Sequence, residues 1–141
     1  MDLNGTWYNE LGSKMELQEN EKTITGKYIT AVGGGQGEYD LVGRTDTDYD
    51  KSKNVGFVVS WENEHGSCDS VTSWSGQMQI INGEEVITTT WLLTKESEPF
   101  SNWKDTLVDK DIFTRKKPSD TDIQEKMNYK RVSHPINPRL N

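Results

Sequence analysis

A single cysteine, four prolines, two histidines and no long apolar run deprive this 141-residue chain of most of the usual structural and chemical devices. With Cys68 alone, no disulfide can form within the chain, and its setting among Gly66, Ser67 and Asp69 reads as loop. His65 and His134 stand far apart, with no spacing suited to zinc or a catalytic triad, so both read as solvated. No stretch nears the roughly 20 apolar residues of a membrane span, and none resembles a signal peptide. A soluble protein without membrane partners is expected, secreted or cytoplasmic. Basic charge is also short. The net charge of −7 and pI near 4.8 argue against a nucleic-acid partner, which would need a basic patch to displace counterions. The acidity is uneven: residues 1–117 carry 12 basic and 20 acidic side chains, whereas 118–141 carry 4 and 3.

What is present is alternation. Period-2 patterning predicts strands at about 4–10, 13–18, 23–30, 38–44, 55–62, 70–80, 85–93 and 104–115, separated by turn signals such as Gly12-Ser13, Glu19-Asn20-Glu21, Glu64-His65-Gly66 and Asn82-Gly83. An apolar content of 31% is lean for two packed layers but suffices for one closed sheet around a narrow interior. The fold class is therefore all-β: an eight-stranded antiparallel up-and-down β-barrel with a short C-terminal extension. The expected division is a barrel over 1–117 and a tail over 118–141, partly helical or disordered. Ser119 is suited to cap a helix over 120–130, and Pro135 and Pro138 forbid one later.

Four of the five tryptophans lie on runs of Ser, Thr and Asn: Trp61, Trp74, Trp91 and Trp103. A core meant only for packing would put Leu, Ile and Val beside them, because a buried hydroxyl without a partner costs about 1–3 kcal/mol. Indoles mixed with hydroxyls suit a small ligand with apolar and polar edges. Alternation groups Val55, Phe57, Val59 and Trp61 on one inner face, Ser70, Thr72, Trp74, Gly76 and Met78 on a second, and Thr89, Trp91 and Leu93 on a third. Asn9 and Leu11 join Trp7, and Tyr28 and Thr30 join Ile24. The opposite faces, with Val58, Val71, Val86 and Leu92, are too apolar for a solvated exterior and point to a subunit contact.

Other motifs dissolve on inspection. The glycines of 33–37 lack the Lys-Ser/Thr ending of a phosphate loop. Asp46-x-Asp48-x-Asp50 begins like a calcium loop, yet Lys51 takes the glycine position and Phe57 the bidentate Glu position. Asn4-Gly5-Thr6 fits a glycosylation sequon, of consequence only in a secreted protein.

The blocks Leu3-Asn4-Gly5-Thr6-Trp7-Tyr8-Asn9-Glu10-Leu11-Gly12-Ser13, Thr25-Gly26-Lys27-Tyr28, Gly56-Phe57-Val58-Val59-Ser60-Trp61-Glu62-Asn63, Ser70-Val71-Thr72-Ser73-Trp74-Ser75-Gly76-Gln77, Thr90-Trp91-Leu92-Leu93-Thr94 and Trp103-Lys104-Asp105-Thr106-Leu107-Val108 with Asp111-Ile112-Phe113-Thr114 follow one another in order. Together they resemble the avidin and streptavidin family of biotin-binding barrels over about residues 3–117. The resemblance implies that Asn9, Ser13 and Tyr28 donate to the ureido oxygen of biotin, that Asp111 and Thr30 receive the ureido nitrogens, and that Thr72 faces the ring sulfur. It implies apolar walls from Trp61, Trp74, Trp91 and Leu107, with Leu11, Val32 and Leu93 also facing the ligand, and carboxylate contacts from Ser70 and the backbone at Gly34 and Gly35. Trp103 matches the tryptophan that reaches a neighbouring subunit's ligand, which implies a homotetramer.

The implied function is non-catalytic, high-affinity sequestration of biotin, with no cofactor and no metal. Two alternatives stand beside it: a barrel carrier for another small amphipathic molecule or sugar, and an enzyme using Asp109 and Asp111 as acid and base. Asp109 departs from the family pattern, where glycine is expected, and places two carboxylates on one strand face.

Overall fold

The computed structural model describes residues 1–31, 37–48 and 50–130, the side chains of 102, 103 and 126–130 excepted. Eight strands follow in chain order: β1 (Gly5–Tyr8), β2 (Lys14–Asn20), β3 (Thr23–Ile29), β4 (Glu38–Thr45), β5 (Ser52–Asn63), β6 (Gly66–Ile81), β7 (Glu84–Lys95) and β8 (Thr106–Thr114). Each pairs antiparallel with its sequence neighbour, and β8 closes on β1 through Tyr8 and Thr114, giving a closed up-and-down barrel. The expected fold class is the observed one.

Alternation is what turns these segments into a barrel. Along β5, Val55, Phe57, Val59 and Trp61 point inward; along β6, Ser70, Thr72, Trp74 and Met78; along β7, Ile87, Thr89, Trp91 and Leu93. With Leu3, Trp7, Leu17, Ile24, Tyr28 and Phe113 they fill the interior. Three inward glycines let the sheet coil this tightly. A Cβ at Gly26 would lie 1.9 Å from the Glu16 carbonyl oxygen, one at Gly43 2.1 Å from that of Gly56, and one at Gly76 1.9 Å from that of Thr88.

Two hairpins close through successive positive-φ residues, as the right-handed twist of paired strands prefers. Asn82 and Gly83 (φ 52° and 79°) join β6 to β7; Glu21 and Lys22 (φ 49° and 71°) join β2 to β3 without a glycine. A 3-10 turn at Asn102–Asp105 leads into β8, which starts two residues after the predicted 104. Beyond the barrel, helix α1 (Asp120–Lys130) starts at Ser119, whose Oγ accepts the Asp122 N–H at 3.1 Å.

Three sequence-based details change. Cys68 is not in a loop: β6 begins at Gly66, and the thiol is buried in the core, because the β5–β6 hairpin keeps its ladder to Asn63 and Gly66 despite a register shift between Ser60 and Glu62. β1 stops at Tyr8 rather than 10, since the Asn9 side chain draws the next residues into a turn. Val86, expected on the outer face, is buried.

Candidate ligand-binding site

The turn between β1 and β2 is organised by one side chain. Asn9 Oδ1 accepts the backbone N–H groups of Leu11 (3.0 Å) and Ser13 (2.9 Å), and the Asn9 carbonyl accepts from Gly12 (3.0 Å). Asparagine suits such a bend because its short amide satisfies main-chain donors that no strand partner reaches. With its oxygen occupied, Asn9 keeps its Nδ2 donors for the interior, where one meets the Tyr28 hydroxyl at 3.4 Å. The Ser13 side chain also hydrogen-bonds the Tyr28 hydroxyl, and Ser13 Oγ accepts the Ala31 N–H at 3.0 Å. Asn9, Ser13 and Tyr28 thus converge on one spot, all buried.

Burial is the main force on Tyr28. It raises the phenol pKa well above its ordinary value, and the nearby Asp111 charge adds to this, against a smaller opposing effect of the Ser13 hydrogen bond. Tyr28 is therefore a neutral O–H donor across the physiological range.

Opposite this trio lies Asp111, on β8 and fully buried. Its Oδ2 accepts the indole N–H of Trp74 at 2.9 Å, and its backbone oxygen accepts the Thr89 hydroxyl at 2.9 Å. Trp61 donates to Thr72 Oγ1 at 2.8 Å. The rings form a continuous panel. Trp74 stacks between Tyr28 (centroids 5.3 Å, 28°) and Phe57 (5.0 Å, 19°), and Trp61 meets Tyr28 edge-on at 5.4 Å. Trp91 sits opposite Trp74 in the β6–β7 register, with Leu93 beyond it.

Two buried polar atoms, Ser70 Oγ and Trp91 Nε1, find no hydrogen-bond partner among the described residues. Thr30 and Leu107 are half-buried. Val32, Gly34 and Gly35 lie outside the described residues; Trp103 falls in the 3-10 turn, and its side chain lies outside them too. Asp109, the second carboxylate of β8, accepts the Lys110 N–H at 2.8 Å.

Thr89 was not singled out in the sequence, although its position two residues before Trp91 placed it on the inner face; its hydroxyl fixes the backbone at Asp111. Arg115 was also missed. Its guanidinium lies 3.7 Å from the Trp7 ring centroid and donates to the Asn4 and Asp2 carbonyls, sealing the base of β1.

The sequence model of the Avidin family matches residues 1–116. The chain belongs to the avidin family. It is 36% identical to avidin of Gallus gallus over 121 residues, which cover 80% of this chain and 77% of that protein. Avidin-related protein 4/5 of Gallus gallus is 34% identical over 119 residues, with the same shares of 80% and 77%. Afifavidin of Afifella pfennigii is 36% identical over 95 residues, 64% of this chain and 57% of that protein.

Avidin-family function is binding of the biotin type, without catalysis and without a cofactor. That sets aside the acid–base reading of Asp109 and Asp111. Helix α1 lies beyond the span matched to the avidins.

Proposed function

We propose that this avidin-family barrel binds one biotin tightly and unchanged, with Asn9, Ser13 and Tyr28 donating to the ureido oxygen. The observation that carries the reading is the meeting of these three polar side chains in an interior that also holds the indoles of Trp61, Trp74 and Trp91. Three donors aimed at one oxygen favour the resonance form that gathers charge there, and groups ordered in advance lose little entropy on binding. Asp111 and Thr30 take the ureido N–H groups, Thr72 the sulfur, and Ser70 with the backbone at Gly34 and Gly35 the carboxylate. The partnerless Ser70 Oγ supports this, since a ligand acceptor would relieve a cost of about 1–3 kcal/mol.

Leu11, Val32, Trp61, Trp74, Trp91, Leu93 and Leu107 form the apolar wall. If the ligand loses about 200–300 Å² of apolar surface there, burial contributes about 5–8 kcal/mol, before the entropic cost of association. The directed donors supply the remainder.

The proposed assembly is a homotetramer in which Trp103 reaches a neighbour's ligand. Its support is an exposed apolar band running in register across the barrel exterior: Val42 opposite Val58, then Ser73 beside Leu92 and Val108. The division into a binding barrel at 1–117 and an accessory tail at 118–141 belongs to the same proposal.

Calorimetric titration with biotin, accompanied by tryptophan fluorescence and light scattering, tests the whole. The expected result is saturation at one biotin per chain, quenching of the indole emission and the mass of four chains. Failure to saturate would transfer the site to another amphipathic ligand, and a monomer mass would remove the role of Trp103.

A further inference from the structure

Helix α1 has little reason of its own to stay on the barrel. Asp120, Thr121, Asp122, Gln124 and Glu125 are all exposed; Ile123 alone among residues 119–125 is not. Its contact is specific. Gly12 has a φ of +84°, and a Cβ there would lie 2.8 Å from Ile123 Cδ1 and 3.9 Å from Ala31 Cβ. Ile123 thus occupies the space that the missing side chain leaves open, at the apex of the turn that Asn9 organises.

That turn holds two of the three converging side chains. Gly12 is bonded to the Asn9 carbonyl, Ser13 N–H to Asn9 Oδ1, and Ser13 Oγ to the N–H of Ala31, the other neighbour of Gly12. Movement at Gly12 would move Asn9, Ser13 and Ala31 together. We infer that Ile123 is a positioning residue for the binding site: by seating on Gly12 it holds the β1–β2 turn, and with it the Asn9 and Ser13 donors, in the orientation the ligand requires. The biotin reading above supplies the ligand in this inference; the brace itself does not depend on it.

Ile123 is only half-buried, so loss of the contact should loosen the turn about five- to tenfold without unfolding the barrel. The experiment compares the full chain with Ile123→Asn and Ile123→Val by amide hydrogen exchange and by the rate at which biotin leaves. Asn at 123 should lower protection of the Leu11 and Ser13 amides about five- to tenfold and speed dissociation by a similar factor, with protection in β6 and β7 unchanged. Val should restore both. A uniform fall across all strands would make Ile123 a general packing residue and overturn the inference, as would unchanged exchange at Leu11 and Ser13. Looser amides with an unaltered dissociation rate would overturn the positioning role. Should the unaltered chain bind no biotin, the ligand assignment falls, and the exchange data alone decide whether the brace exists.

Discussion

Trp74 Nε1 donates to Asp111 Oδ2 across 2.9 Å in the barrel interior, tying the middle of β6 to a carboxylate on β8. A wall residue and a polar site residue are thereby one unit: the ring that would cover the ligand also orients the group that would receive its N–H.

Replacing Asp111 by Asn separates the two roles. The amide oxygen of Asn still accepts from Trp74, and the Thr89 hydroxyl still bonds the backbone at 111, so thermal stability should change little. A ligand N–H loses an ionised acceptor, worth about 1.5–3 kcal/mol, so biotin should bind roughly 10- to 150-fold more weakly by calorimetry. Asp111→Ala would in addition orphan the buried indole N–H and should lower the melting temperature. Equal affinity of the Asn variant and the parent would remove Asp111 from the site.

Tyr28 gives the barrel an alkaline limit. Its folded pKa lies well above the ordinary 10.0, chiefly through burial, so the neutral phenol is the form that folding favours. Its contribution is complete below about pH 10, where the unfolded chain is also protonated, and is lost as pH rises through the folded value. Tyr28→Phe should flatten the alkaline fall in stability by up to about 1.4 kcal/mol per pH unit over that range. The same variant should weaken biotin binding at neutral pH about tenfold through loss of one donor. Identical alkaline unfolding curves for the two proteins would contradict this.

The barrel was readable because one rule governs all eight strands: inward residues repeat every second position, as in Val55, Phe57, Val59 and Trp61, and turn chemistry punctuates the runs. Cys68 escaped because its polar neighbours Gly66, Ser67 and Asp69 imitate a loop, although Gly66 and Ser67 still pair with β5 and Cys68 keeps the inward period of β6. Asn9 could be placed at the mouth by its block, but not its grip on Leu11 and Ser13, which depends on a bend rather than on a strand period. The seat of Ile123 on Gly12 joins residues 111 positions apart, and no periodicity carries information over that separation.

The strand glycines should divide sharply on substitution according to the face they occupy. At Gly26, Gly43 and Gly76 an added Cβ meets backbone oxygen at 1.9–2.1 Å, and backbone in a closed ladder cannot yield, so each Ala variant should lose about 3 kcal/mol or more. Gly56 is the control: its Cβ would lie 3.6 Å from the Trp74 oxygen, an ordinary contact. Gly56→Ala should be neutral or stabilising by up to about 1 kcal/mol, since Ala has less freedom to lose. Denaturant melts of the four variants provide the comparison, and a tolerated Gly26→Ala would show that the coil of the sheet is looser than described.

Lys53 sets the last prediction. Its ammonium is buried and bonds Glu19 Oε2 at 2.5 Å, Asp48 Oδ1 at 3.1 Å and the Met1 carbonyl at 3.2 Å. Burial pulls its pKa down, but the bonds to Glu19 and Asp48 outweigh that and leave it raised. Asp48 is lowered, first by the Met1 ammonium and then by Lys53. The signs define a window. The Lys53 contribution is present below its ordinary 10.5 and lost as pH rises through the folded value; that of Asp48 is present above its ordinary 3.8 and lost as pH falls through the folded value. Lys53→Met should therefore cost about 1–3 kcal/mol at neutral pH, below the range for a fully buried pair because Glu19 is partly exposed and can rehydrate. Adding Glu19→Gln should recover part of the loss by removing the stranded carboxylate. In thermal melts from pH 3 to 9, the single variant should gain on the parent as acid protonates Asp48. A single-variant deficit that is constant with pH would mean that Lys53 does not act through its pairing with Asp48.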